Sequence, residues 1–312
     1  MLLGHTFFHL DIKTLNLKSI GFWYFEGVPI FFVLSGFLIW NSIDRSKNYS
    51  SYLKKRLLRI YPELWVSVSV ELLVIILLYG VSNIVQFCLF AFTQSTVFQF
   101  WTPNFLRGYG CGTPNGSLWT IGVLIQFYFL AWFLRKLLHG KSKIMWVGVF
   151  SFSVFLGMVN HFTEGNLPVI INKLYGQTIF NYLYLFIFGA FLAEYKENLI
   201  EYLKKYWWLL TLIGIVLYIV DIDIPWTTYH IMKNIFSVSG LIGFAYVYPD
   251  FGFKTDISYG IYLYHMTVVN ILINFGFIEK WYYLLVVLCV SVILAYLSTV
   301  TVGKWSERRK YS

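Results

Sequence analysis

Apolar runs of helical length alternate with short polar segments along the whole chain. Runs that approach the roughly 20 apolar residues needed to cross a bilayer lie at 25–42, 61–80, 117–134, 144–160, 176–194, 206–221, 229–248, 257–277 and 281–302. The pattern predicts an all-α, polytopic transmembrane helix bundle of about nine complete spans. Residues 1–10 supply half a span and read as a truncated first helix, the end of one whose beginning is missing. Residues 11–24 read as an amphipathic, aromatic loop. Residues 84–101 are interrupted by Gln86, Thr93, Gln94 and Gln99, and read as a helix at the interface or re-entering. Residues 106–116 carry glycines, Pro114 and Asn115, and read as a loop. No repeat or linker is evident, so 1–312 reads as a single membrane-embedded domain.

The sharpest junction lies between 26 and 62. An apolar helix over Gly27 to Trp40 is followed by a polar turn and the basic run YLKKRLLRI, and Pro62 is expected to open the next apolar run. Such a junction fixes a membrane boundary and points cations at something anionic.

Composition agrees with the pattern. The chain is 58% hydrophobic and 12% charged, against about 25% charged in soluble domains. The net charge of +9 does not point to nucleic acid, because the cations fill loops between apolar runs. Segments 42–59, 135–143, 195–205, 249–256 and 304–312 hold 18 of the 24 Lys and Arg residues, which makes their side cytoplasmic and puts the C-terminus inside. No cleavable signal peptide is evident at the N-terminus. Cys88, Cys111 and Cys289 form neither a metal spacing nor a disulfide framework, and are expected to be free thiols.

Several residues are candidates for chemistry. Arg56 and Arg59 are three apart, share a helix face, and as paired guanidiniums suit phosphate. The simpler reading is a topology anchor that attracts acidic lipid. His5, with His9 a turn later, sits at a helix end where an imidazole of free pKa about 6.5 suits a general base; an interfacial histidine is the plainer reading. Asp11 and Glu26 are carboxylates that could orient His5. His265 falls mid-span, where an ionisable group needs a partner. Ser35-Gly36 forms a small-residue notch suited to close helix packing. Trp119 and Gln126 lie on one span, where Gln126 is either a functional group or structural glue. Glu71 is an acid inside a span, at a cost of about 2.5–3.5 kcal/mol, and has no assigned role. Trp23, Tyr24, Trp101, Tyr109 and Trp226 belong to outer loops, where they stack on sugars or join the interfacial aromatic belt.

Taken in order, these segments resemble the membrane-bound acyltransferase type 3 family of bacterial O-acyltransferases. LLGHTFF is similar to the end of the family's first helix, with its histidine at His5. GVPIFFVLSGFLI resembles its GVxxFFVLSGFLI signature, and KKRLLRIYP its RRxxRIYP motif at Arg56 and Arg59. SLWTIGVLIQFY resembles LWSLSVExQFY at Trp119, Gln126, Phe127 and Tyr128, and ISYGIYLYHMTVV resembles ISYxIYLxHxPV at His265. WSERR resembles the terminal IExP element, with Glu307 on the acid. The chain departs from the family at Leu124, where the pattern has an acid, and in its short first helix.

The resemblance implies a multi-pass enzyme of the bacterial cytoplasmic membrane. It implies transfer of an acyl group, often acetyl, from cytoplasmic acyl-CoA to a hydroxyl of a cell-surface or lipid-linked polysaccharide. His5 would be the base, and Arg56 and Arg59 would hold the coenzyme phosphates; acyl-CoA is the donor substrate, with no permanently bound cofactor. The alternative is a non-enzymatic or degenerate member that binds lipid-linked glycan or serves transport. Acetyl analysis of surface polysaccharide with and without the gene separates the two.

Overall fold

The computed structural model describes residues 1–12, 26–163, 166–220, 226–249 and 255–311. The aromatic loop 11–24 from Lys13 on, with Trp23 and Tyr24, lies outside the described residues, as do Lys254 and the side chain of Trp226. The described residues are helical, with no strand among them. In chain order the helices are α1 (Leu2–His9), α2 (Gly27–Ile43), α3 (Tyr49–Leu78), α4 (Ile84–Gln94), α5 (Trp119–Leu138), α6 (Lys143–Thr163) and α7 (Val169–Gly176). They continue with α8 (Leu183–Glu194), α9 (Lys196–Val220), α10 (Trp226–Val247), α11 (Ser258–Asn274), α12 (Tyr282–Ser298) and α13 (Lys304–Tyr311). Four stretches are long and apolar enough to cross a membrane: Tyr49–Leu78, Gly116–Leu138, Lys196–Val220 and Tyr282–Lys310. Shorter apolar helices accompany them, and the protein is a membrane protein whose described residues form helices and no strand.

Two expectations need correction. The span read at 61–80 is part of a longer helix: Pro62 lies inside the continuous 30-residue α3. A proline lacks the N–H that would bond the carbonyl four residues back, here Leu58. The Ser306 hydroxyl donates to that Leu58 carbonyl and replaces the lost bond. The Tyr259 hydroxyl donates to Ile60 O on the same helix at 3.0 Å. The span read at 176–194 is also shorter than expected, since α8 has only 12 residues, about 18 Å of rise. Thr178 and Asn181 explain the shortening: both side chains donate to Tyr175 O, at 2.7 and 3.0 Å, and hold 177–182 in turns. Residues 84–94 do form a helix of 11 residues, capped by Asn83 through Gln86 N, too short to span.

The chain divides into two compact units. One comprises Met1–Ile20, Leu53–Ile125 and Lys254–Ser312; the other comprises Gly21–Tyr52 and Gln126–Phe253.

In the second unit α2 crosses α8 through glycine on both sides. A Cβ on Gly36 would stand 2.1 Å from Phe186 O, and one on Gly189 would stand 1.9 Å from Val33 O. The notch at Ser35-Gly36 is thus a packing element, with Ser35 half-buried beside it. Glu194 ends α8 and accepts from Trp40 Nε1 (2.8 Å), Arg135 Nη1 (2.7 Å) and Gly140 N (2.9 Å). Lys233 is buried and pairs with Glu26.

In the first unit α1 packs on α11 and α12. Leu10 and Ile12 join Val268, Val269, Leu272 and Val287 in one apolar cluster.

Candidate active site

The first unit gathers most of the residues singled out in the sequence. α1 presents His5 to α11, and His5 Nδ1 lies 3.0 Å from His265 Nε2 with the rings 22° from parallel. His265 is 0% exposed. Its Nδ1 faces the backbone carbonyls of Tyr262 (2.8 Å) and Ile261 (3.2 Å). Carbonyl oxygens only accept, so Nδ1 carries the proton and Nε2 is the acceptor. His5 therefore donates from Nδ1, which leaves its Nε2 as a lone pair. At Nδ1 the partner of His5 is an imidazole; of the two carboxylates considered, Glu26 pairs with Lys233.

α11 is fixed by the segment preceding α5. Tyr262 donates to Ser117 O and lies 2.8 Å from Thr120 Oγ1. Asn115 Nδ2 donates to Leu263 O at 2.8 Å. Asn270 is fully buried; its Oδ1 accepts from Cys111 N at 2.8 Å, and its Nδ2 donates to Thr113 O at 3.1 Å. Gly110 has a φ of +53° and faces Asn270 so closely that a Cβ would stand 2.0 Å from Oδ1, a place only glycine fills. Tyr262 and Asn270 were not singled out in the sequence, and Asn115 was read only as a loop residue. The signal was present for Asn270, an amide in an apolar run.

A second cluster surrounds Arg59. Its guanidinium pairs with Asp256 at 3.1 Å and with Glu307 at 3.9 Å. Asp256 Oδ1 also accepts from Ser258 N (3.1 Å) and Ser258 Oγ (2.6 Å), closing the turn into α11. Burial pushes the Asp256 carboxyl up, but the Ser258 hydrogen bonds and the Arg59 charge win and hold it below the usual carboxylate range. A cleft of about 230 Å³ opens here, with Arg59, Glu63, Lys304 and Lys310 among its lining. Arg56 is not among its lining residues; its Nε is buried without a hydrogen-bond partner among the described residues. Lys310 stands within electrostatic reach of both arginines.

The remaining candidates separate from these clusters. Gln126 belongs to the second unit, where its amide donates to Gln177 O (2.9 Å) and accepts from Ile179 N (3.2 Å), as structural glue would. Trp119 starts α5, half-buried. Leu124 is 6% exposed. Tyr109 is a core residue, 0% exposed, and not part of an interfacial belt. The three cysteines are free thiols, and burial pushes the Cys111 thiol up, which leaves it a weak nucleophile.

A family model described as an acyltransferase domain matches residues 1–300. Nodulation protein 10 of Rhizobium leguminosarum bv. viciae is 30% identical over 307 positions, covering 89% of this chain and 82% of its own. The O-acetyl transferase of Shigella phage Sf6 is 28% identical over 263 positions, covering 79% of this chain and 74% of its own. No solved structure matches the chain. Family model and relatives run through both units, and the chain belongs to the membrane-bound acyltransferase type 3 family, as an acyltransferase of groups other than aminoacyl groups.

Proposed function

We propose that this chain is an O-acetyltransferase of a bacterial cytoplasmic membrane. It moves an acetyl group from cytoplasmic acyl-CoA to a hydroxyl of an extracytoplasmic, cell-surface or lipid-linked polysaccharide. The observation that carries the reading is the His5–His265 hydrogen bond, which leaves a lone pair on His5 Nε2. That nitrogen takes the proton of the acceptor hydroxyl as its oxygen attacks the thioester carbonyl. The tetrahedral intermediate collapses with cleavage of the C–S bond. His5 returns the proton to the departing thiolate, so an ester and a free thiol leave and the histidine pair is restored. His265 fixes the tautomer.

The Arg59 cleft supports an anionic donor end. Arg59, Lys304 and Lys310 offer three cations there, against Glu63, Asp256 and Glu307 on the same walls, and Arg56 lies within electrostatic reach of Lys310. Phosphates would displace Asp256 and Glu307 from Arg59. The charge asymmetry of the loops supports placing this cleft on the cytoplasmic side, with the C-terminus inside and about nine spans in one membrane domain embedded in lipid. Buried Leu124, where the family pattern has an acid, favours the second reading, a lipid-linked glycan binder without transfer.

One complementation experiment separates them. In a strain lacking the gene, the wild-type chain should restore acetyl groups to the surface polysaccharide, and His5→Ala should not. Restoration by His5→Ala would remove the catalytic assignment, and no restoration by wild type would favour the binder.

A further inference from the structure

Glu63 lies four residues beyond Arg59 on α3, on the same helix face and about 6 Å further along the axis. It is 6% exposed, yet it lines the cleft of about 230 Å³ together with Thr299, Gly303 and Lys304. Its Oε2 accepts from Ser298 Oγ at 3.4 Å and from Thr299 Oγ1 at 3.3 Å, and among the described residues no donor reaches Oε1. Arg59 is engaged elsewhere, by Asp256 and Glu307. Gly303 closes a π-helical turn, Thr299–Gly303, a rare geometry that recurs at functional sites. A Cβ on Gly303 would stand 3.1 Å from Glu63 Oε1, so the glycine keeps the space before that oxygen clear.

α12 and α13 run beside both α3 and α11. Ser306 meets Leu58 O, Ser298 meets Glu63, Gly260 lies against Ala295, and Val287 packs with Val268 and Val269. The numbers 306, 298, 295 and 287 thus lead from the level of Arg59 toward that of His265, which sits on α11 between Gly260 and Val268. Glu63 stands between the cations of the cleft and the His5–His265 pair.

A carboxylate oxygen only accepts. It repels phosphate, so its complement among phosphate-binding cations is a neutral O–H or N–H carried by the same ligand. The cleft volume is several times the roughly 30 Å³ share of one water, which suits a phosphate together with the first atoms of an attached arm.

We propose that Glu63 is a specificity-determining residue for the acyl donor, and that its Oε1 accepts a hydrogen bond from a hydroxyl or amide N–H of the arm joining phosphate to thioester. The inference rests on the donor reading of the cleft given above and deepens it. The cations hold the phosphates, and Glu63 tells a polar, pantetheine-like arm from a plain alkyl one. An alkyl arm would leave the buried carboxylate without a partner, and so would be rejected.

The test uses the full chain in lipid nanodiscs and measures equilibrium binding of two probes. Coenzyme A carries phosphates and the arm; adenosine 3′,5′-bisphosphate carries phosphates and no arm. Glu63→Leu should weaken coenzyme A about tenfold, as loss of one hydrogen bond to a charged group does. It should leave the bisphosphate as tight or tighter, since an anion has left the wall. Glu63→Gln, which keeps a carbonyl oxygen, should lose less coenzyme A affinity than Glu63→Leu. Gly303→Ala leaves Glu63 in place and crowds Oε1, and should give the same selective loss even if Glu63→Leu fails to fold. None of these readouts needs turnover: selective losses in a chain whose wild type transfers no acetyl group keep the arm subsite and remove the acyl-transfer reading. Equal weakening of both probes, unchanged coenzyme A binding in the variants, or a wild type that binds coenzyme A no tighter than the bisphosphate would overturn the arm subsite, and acetyl transfer by the wild type would then leave the acyl-transfer reading standing.

Discussion

His265 stands 260 residues from His5 in the sequence and 3.0 Å from it in space. Its Nδ1 is committed to the Tyr262 carbonyl, so its Nε2 can only accept from His5. Replacing His265 by Phe should keep the packing and release the His5 tautomer. Acyl transfer should fall about tenfold or more through kcat, with KM values little changed. His265→Gln, whose side-chain oxygen accepts, should recover part of the rate. His5→Ala should cost about 10²–10⁴-fold, the range for loss of a general base. Equal losses in His265→Phe and His265→Gln would mark His265 as packing only.

Ser306 and Pro62 should be energetically coupled. Ser306→Ala strips the Leu58 carbonyl of its donor in a buried place, which costs about 1–3 kcal/mol. Pro62→Ala restores a backbone N–H for that carbonyl. In a double-mutant cycle read by thermal unfolding, Ser306→Ala should cost much less in the Pro62→Ala background. Additive losses would show that the hydroxyl does not replace the missing helix bond.

Asp256 sets an acid limit. Its carboxyl is held below its ordinary value of 3.8 in the folded chain, so the stability it contributes is fully present above that value. It is lost as the pH falls through the lower, folded pKa. Unfolding midpoints measured from pH 5 downward should drop less steeply in Asp256→Asn than in the wild type. The same variant, or Glu307→Gln, frees Arg59 and should lower the half-saturating donor concentration.

Gly189→Ala should be far worse than an ordinary helix-favouring change. Its Cβ would meet Val33 O at 1.9 Å and Phe37 N at 2.9 Å, so α2 and α8 must move apart, at about 1–3 kcal/mol or more. Gly148→Ala, where nothing lies within 4 Å of the new atom, is the control. The two should differ sharply in the folded yield of detergent-extracted protein.

The order of helices was legible because apolar period and turn residues are local. The ranges read at 25–42 and 257–277 became Gly27–Ile43 and Ser258–Asn274. The continuation of the helix through Pro62 was not legible because its compensation is Ser306, 248 residues from the Leu58 carbonyl it serves. Residues 176–182 misled because Thr178 and Asn181 turn the chain by bonding Tyr175 O, which hydropathy does not register. The candidate site was legible residue by residue through motifs, yet its pairings were not. Nothing local in His5 names an imidazole as its partner, and nothing local in Arg59 names Asp256.

The unbroken course of α3 through Pro62 has a metric consequence. Arg59 and Glu71 ride on one rod, and their separation is set by the rise and hydrogen bonds of a single helix. The rod acts as a gauge. On the proposed reading, with the donor's phosphates at Arg59, discrimination among donors would fall on the length of the arm between phosphate and acyl carbon. Removing the Ser306 hydroxyl would blur the scale itself.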